Sequence, residues 1–195
     1  MKTDIILAGV GGQGILSIAA VIGMAAIDNN LYLKQAEVHG MSQRGGDVQS
    51  NLRLSDKPIA SDLIPHAGAD LILSVEPMEA LRYLPYLSNK GWLVTNTTPF
   101  NNITNYPDES ELMGTINALP RHIALDADKI AKEQGSAKSS NMVVLGAAIP
   151  FINIDIKELK KAIGKIFEKK GTAIVYSKLN ALNAGYNFSL QIINS

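Results

Sequence analysis

In the stretch AGVGGQGILS, Gly9, Gly11 and Gly14 stand in the spacing G-x-G-x-x-G, with Gly12 between them. Between a strand and a helix, such glycines make a tight turn, bring backbone N–H groups close to a phosphate and let the helix pack on the strand. A dinucleotide site and a loop whose glycines only shape the fold are both open readings. A dinucleotide site also wants an acid for a ribose about 20 residues further on. Asp28 has that spacing but sits where a helix should end, and Glu37 lies near the end of the next strand but late. No Gly-Lys-Ser/Thr follows the glycines, which excludes a P-loop and the nucleotide hydrolysis it supports.

A second candidate is Arg44 with Gly45 and Gly46. A forked cation beside two residues without Cβ lets guanidinium and backbone approach a phosphate or carboxylate together; the alternative is a surface turn. His39, His66 and His122 are scattered and offer no metal-ligand spacing. Ser17 and Ser42 have no base or orienting partner in the sequence, so no nucleophile is assigned. Glu76 and Glu79 flank Pro77 at a strand-to-helix junction, where their simplest role is to complement the helix dipole.

Composition limits what these groups can serve. The 195 residues include no cysteine, which removes disulfides, thiolate nucleophiles and Cys-ligated zinc or iron–sulfur clusters. Basic and acidic residues balance at 18 each, so no charge excess argues for nucleic acid or an anionic membrane surface. The apolar run from Ile15 to Ile27 is shorter than the roughly 20 residues a membrane span requires. Asp4 and the glycines interrupt what would otherwise imitate a signal peptide, and a cytoplasmic protein is expected.

The elements that must hold these residues follow from hydrophobic period. DIILAG, LYLKQAEV, ADLILSVE, GWLVTNTT and RHIALDA read as strands. VQSNLRLS alternates with period two, as a half-exposed strand does, where a simple dinucleotide fold would have a helix. ILSIAAVIGMAAIDNN is apolar nearly all round and predicts an inward-packed helix. Pro77 opens a helix expected to reach about Leu87, a short helix is expected near Leu112 to Ala118, and DADKIAKEQG reads as another. SAKSSN reads as a linker or mobile loop. Everything after it reads as helical: MVVLGAAIPFIN, a helix begun by Asp155 with Glu158 behind it, and a last helix from about Thr172 to Gly185. The expected fold is α/β, a Rossmann-like, mostly parallel sheet flanked by helices with a helical C-terminal tail, in a single domain over residues 1–195.

Together, GVGGQGILS, AEVHGMSQRGGDVQSNLR, ADLILSVEPMEALRYLPYL and SNMVVLGAA resemble the gamma-type domain of the 2-oxoacid:ferredoxin oxidoreductases, most of all its indolepyruvate branch. The resemblance runs across nearly the whole chain, and VHGMSQRGG and EPMEALRYLPYL carry more of it than the glycine motif does. It implies a subunit of an enzyme that oxidatively decarboxylates an aryl 2-oxoacid to acyl-CoA and CO2 while reducing ferredoxin. It also implies that thiamine diphosphate and iron–sulfur clusters sit on a larger partner subunit, with coenzyme A as co-substrate and no cofactor bound by this chain alone. On that reading Gly9, Gly11, Gly12, Gly14, Arg44, Gly45 and Gly46 are structural or line a coenzyme A or partner-facing cleft. A self-sufficient NAD-dependent enzyme and a non-enzymatic scaffold are the alternatives.

Overall fold

The computed structural model describes residues 1–40, 45–101 and 103–194. Six strands form one sheet: β1 (Lys2–Val10), β2 (Tyr32–His39), β3 (Asp47–Ser55), β4 (Ala69–Ser74), β5 (Leu87–Asn96) and β6 (His122–Leu125), in the order β2-β3-β1-β4-β5-β6. β1, β4, β5 and β6 pair in parallel, whereas β3 runs antiparallel to both β1 and β2. The mostly parallel α/β sheet is therefore as expected, and β3 is the period-two segment read as a strand. Its alternation is broken at Asn51, which is buried because its Oδ1 accepts the Ile64 N–H at 3.1 Å.

Among the described residues, seven α-helices cover the sheet: α1 (Ile15–Asp28), α2 (Pro77–Arg82), α3 (Glu109–Asn117), α4 (Ala127–Glu133), α5 (Ser140–Ala148), α6 (Ile156–Phe167) and α7 (Thr172–Ile193). Successive strand residues point to opposite faces. Ile5, Leu7, Leu71 and Leu73 face α1 and α4–α7, while Ile6, Ala8, Ile72 and Leu93 face α2 and α3. In α6, Leu159, Ile163 and Phe167 are buried at helical spacing, each stabilising by roughly 1.5–3 kcal/mol. Asp155 caps this helix, its carboxylate accepting the Lys157 N–H at 2.7 Å.

Several boundaries differ from the sequence reading. α2 stops at Arg82, well short of Leu87; Pro85 has no N–H to continue the α-helical ladder, and a 3-10 turn over Leu84–Tyr86 leads straight into β5, which begins at Leu87. SAKSSN is neither linker nor loose loop. Ser139 and Asn141 are buried, and Asn141 Nδ2 donates to the Gly14 carbonyl at 3.1 Å. α7 continues past Gly185 to Ile193, since that glycine lies inside a helix crossing. A Cβ on Gly185 would stand 1.9 Å from the Val143 carbonyl oxygen, and one on Gly146 2.1 Å from that of Leu182. α1 is not enclosed on every side: Leu16 and Ile27 are 58% and 61% exposed.

Candidate functional site

α1 leaves β1 toward one face of the sheet and α2 leaves β4 toward the other. The carboxyl ends of these two adjacent strands are thus the switch point at which open α/β sheets form their ligand crevice. The glycine loop sits there, between β1 and α1.

Each glycine has a distinct role. A Cβ on Gly9 would lie 2.4 Å from Val75 Cγ2, so that position needs a close approach between the ends of β1 and β4. Gly14 adopts the left-handed region at φ 86°, and a Cβ there would lie 2.4 Å from Asn141 Nδ2. Gly12 is also left-handed, at φ 103°, but faces open space. Gly11 donates its N–H to the Gly46 carbonyl at 2.8 Å, which brings the two glycine-containing loops of the sequence together. Gly45 is left-handed at φ 78°. Arg44 lies outside the described residues.

Much of this loop's donor capacity serves the chain itself. The Val10 N–H goes to Gln13 Oε1 at 2.8 Å, the Gln13 N–H to the Val10 carbonyl at 3.1 Å, and the Gly11 N–H to Gly46. These N–H groups cannot also cradle a pyrophosphate. Neither acidic candidate completes a ribose site. Asp28, at the end of α1, pairs with Lys165 of α6 at 2.7 Å, and Glu37 pairs with His39 along β2.

A cleft of about 310 Å³ opens beside the loop. Gln13 is its wall on the glycine side; the rest comes from residues the sequence reading did not single out. Val75 follows β4, Asn96 ends β5, Thr98, Pro99 and Phe100 follow it, Asp128 lies in the first turn of α4, and Ser140 and Val144 come from α5. Asn96 fixes Asp128. Its Nδ2 donates to Asp128 Oδ2 at 2.9 Å and its Oδ1 accepts the Ala127 N–H at 3.0 Å. These residues share no sequence spacing. For Val75, Asn96, Thr98 and Asp128 the one available signal was a place at or shortly after a strand end; Ser140 and Val144, inside α5, had none.

Glu76 does more than complement a dipole. It is fully buried and caps α2, with Oε2 accepting the Glu79 N–H at 2.8 Å. Its Oε1 accepts the Phe100 N–H at 3.3 Å and the Tyr106 hydroxyl, and so ties down the chain that walls the cleft. Burial and this acidic neighbour push the Tyr106 hydroxyl's pKa above the ordinary phenol value. Burial raises Glu79 despite its pairing with Arg82 at 2.7 Å, and burial with Asp47 raises Tyr83, whose hydroxyl donates to Asp47 Oδ2 at 3.2 Å. Among the described residues no three His, Asp or Glu side chains are grouped to hold a metal. His122 contacts the Leu119 carbonyl at 2.7 Å and His66 lies against Tyr86.

The fold is shared with known proteins. Indolepyruvate oxidoreductase subunit IorB of Archaeoglobus fulgidus is 35% identical to this chain, over 96% of the chain and 95% of its own length. The subunit of the same name from Pyrococcus horikoshii is 32% identical over 98% of both. A 2-oxoglutarate:ferredoxin oxidoreductase from Magnetococcus marinus, solved with 2-oxoglutarate, coenzyme A and succinyl-CoA bound, superimposes with a TM-score of 0.77 at 23% identity; the match covers 97% of this chain and 31% of that longer one. The family profile for pyruvate ferredoxin/flavodoxin oxidoreductase matches residues 4–188, and the chain belongs to that family.

Proposed function

We propose that this chain is the accessory subunit of a ferredoxin-dependent 2-oxoacid oxidoreductase whose oxoacid is indolepyruvate or a close aryl pyruvate. The observation that carries this reading is end-to-end similarity at 32% and 35% identity to subunits named for indolepyruvate. The reaction joins the acyl group of the oxoacid to coenzyme A, releases CO2 and passes the electrons to ferredoxin.

This chain's part in that reaction is to build and hold a cleft. Thiamine diphosphate supplies the decarboxylation chemistry and iron–sulfur clusters the electron path, and the residues here do not fit a cluster, because the chain contains no cysteine. Both groups are assigned to a larger partner subunit, through which ferredoxin is served; the chain alone is inactive and binds no cofactor. Its place is the cytoplasm. No helix among the described residues is long and apolar enough to cross a membrane. Gly9, Gly11, Gly12 and Gly14 shape the mouth of the cleft, with Gly45 and Gly46 docked against them. Arg44, next to Gly45, is assigned to coenzyme A or to an acidic group of the partner.

Co-purification tests the assembly. The natively expressed chain is expected to bring down a larger subunit carrying thiamine diphosphate and iron–sulfur clusters. Recovery of the chain alone from gently lysed native cells, with the oxoacid-oxidising activity in other fractions, would contradict the reading.

A further inference from the structure

We infer that the lysine-rich turn between α6 and α7, with the apolar groove beside it, is a docking surface for an acidic, partly apolar segment of the larger subunit. This rests on the proposed function for the existence of that subunit, and goes beyond it in assigning the contact to residues of this chain. Residues 157–178 hold seven lysines and two glutamates in a chain that is neutral as a whole. Lys161 and Lys165 are neutralised by Asp28, at 4.0 and 2.7 Å, and Lys161 also by Glu158 at 3.6 Å. Lys170, in the turn Glu168–Lys170, and Lys178, in α7, form no ion pair among the described residues. Yet they converge on one ring, their Nζ atoms lying 5.5 and 4.7 Å from the centre of Phe167. Two like charges gathered on one aromatic side chain repel each other, and an anion shared by them removes that repulsion. Lys178 is also half-buried, so it has lost hydration without gaining a carboxylate. That burial, and then Lys170, lower its pKa below the ordinary lysine value.

Apolar surface continues from the lysines. Ile174 and Tyr176, early in α7, are 41% and 67% exposed. Gly164, Glu168, Thr172, Val175, Tyr176 and Leu179 line a groove of about 420 Å³. An exposed tyrosine, an apolar groove and cations without counter-ions combine the features of a protein interface, in which aromatic side chains anchor and charges set orientation. Glu168 in the groove wall repels a second acid, so the partner's carboxylate belongs at the lysine end and its apolar side chains in the groove. Residues 157–178 contain no arginine, the forked donor best suited to phosphate, which argues against nucleic acid and lipid headgroups. Ferredoxin has to come and go, whereas a half-buried lysine beside an apolar groove suits a permanent contact, which covers a larger and more apolar area. The occupant is therefore assigned to the larger subunit.

The experiment measures the dissociation constant between this chain and the larger subunit, produced separately and then mixed, for wild type, Lys170→Glu, Tyr176→Ala and Lys157→Glu. Lys170 and Tyr176 are exposed, so their variants keep the fold, which matching thermal melts of the chain alone check. Lys157 is exposed in the first turn of α6, roughly 15 Å along the helix from Phe167, and its reversal controls for net charge alone. Lys170→Glu and Tyr176→Ala are each expected to weaken association about three- to thirtyfold, and Lys157→Glu by less than about twofold. The effect of Lys170→Glu is expected to shrink as salt rises. Equal losses for Lys170→Glu and Lys157→Glu, or unchanged association in all three variants, overturn the inference and leave the proposed function standing. Unchanged association with a raised KM for ferredoxin in Lys170→Glu also overturns it, because the patch then serves the electron acceptor. Failure of the wild-type chain to associate with the larger subunit at all would bring down the proposed function itself, and this inference with it.

Discussion

At the scale of single residues, the glycine motif was legible from spacing and neighbouring elements, but its use was not. G-x-G-x-x-G specifies a turn with close backbone approaches, and Gly9 and Gly14 are used for that, against Val75 and Asn141. What the spacing does not encode is that Gln13 and Gly46 occupy N–H groups a pyrophosphate would need. Gly14→Ala would meet both a left-handed backbone and the Asn141 amide, so a loss of about 1–3 kcal/mol in unfolding free energy is expected, read from a urea melt. Gly12→Ala has the backbone strain without the contact and is expected to cost less in the same assay. Arg44 belongs to this scale by its chemistry alone. In the assembled enzyme, Arg44→Lys keeps the charge and loses the fork, and a decrease of roughly ten- to a hundredfold is expected. A raised KM for coenzyme A indicates a substrate contact and weakened subunit association a docking contact. If Arg44→Ala changes neither, the assignment is wrong.

At the scale of elements, strand and helix order could be read from hydrophobic period because most core segments are strongly patterned. Where the reading failed, tertiary contacts had overridden local composition. SAKSSN is small and polar, as linkers are, but its last residue, Asn141, lies in the first turn of α5 and packs its carboxamide against Gly14. Gly185 looked like a helix end because glycine commonly stops helices; here it permits α7 to cross α5 with backbones almost touching. Gly185→Ala is therefore expected to cost at least the roughly 3 kcal/mol upper end of overpacking penalties, and to expose α7 to proteolysis before the sheet unfolds. α1 and α6 are joined by Asp28 and Lys165, and the lysine's hydrogen bond holds the aspartate below its ordinary value of 3.8. A lowered carboxylate pKa contributes stability above the unfolded value and loses it as pH falls through the folded one. The stability difference between wild type and Asp28→Asn should accordingly be present at neutral pH and vanish in acid. A difference that persists in acid would mean the ion pair is not its source.

At the scale of the whole molecule, the sheet order explains why a dinucleotide-type loop sits in a protein read here as an accessory subunit. β3 runs antiparallel beside β1 and fills the sheet position where a standard dinucleotide fold continues in parallel. Calorimetry with NAD and NADP should show no binding tighter than millimolar; micromolar affinity lost on enlarging Gly11 would revive the dehydrogenase reading. The cleft was not legible because its walls converge from five separated parts of the chain, and only the assembled sheet brings Gln13, Asn96, Asp128 and Ser140 together. What the chain does not contain is equally informative: with no cysteine, it cannot ligate an iron–sulfur cluster through thiolates. The most direct test of the central claim is oxoacid- and coenzyme A-dependent reduction of ferredoxin or a redox dye, measured for this chain alone, for the proposed larger partner alone and for the two mixed. The account predicts turnover only in the mixture, and full turnover by the larger partner alone would contradict it.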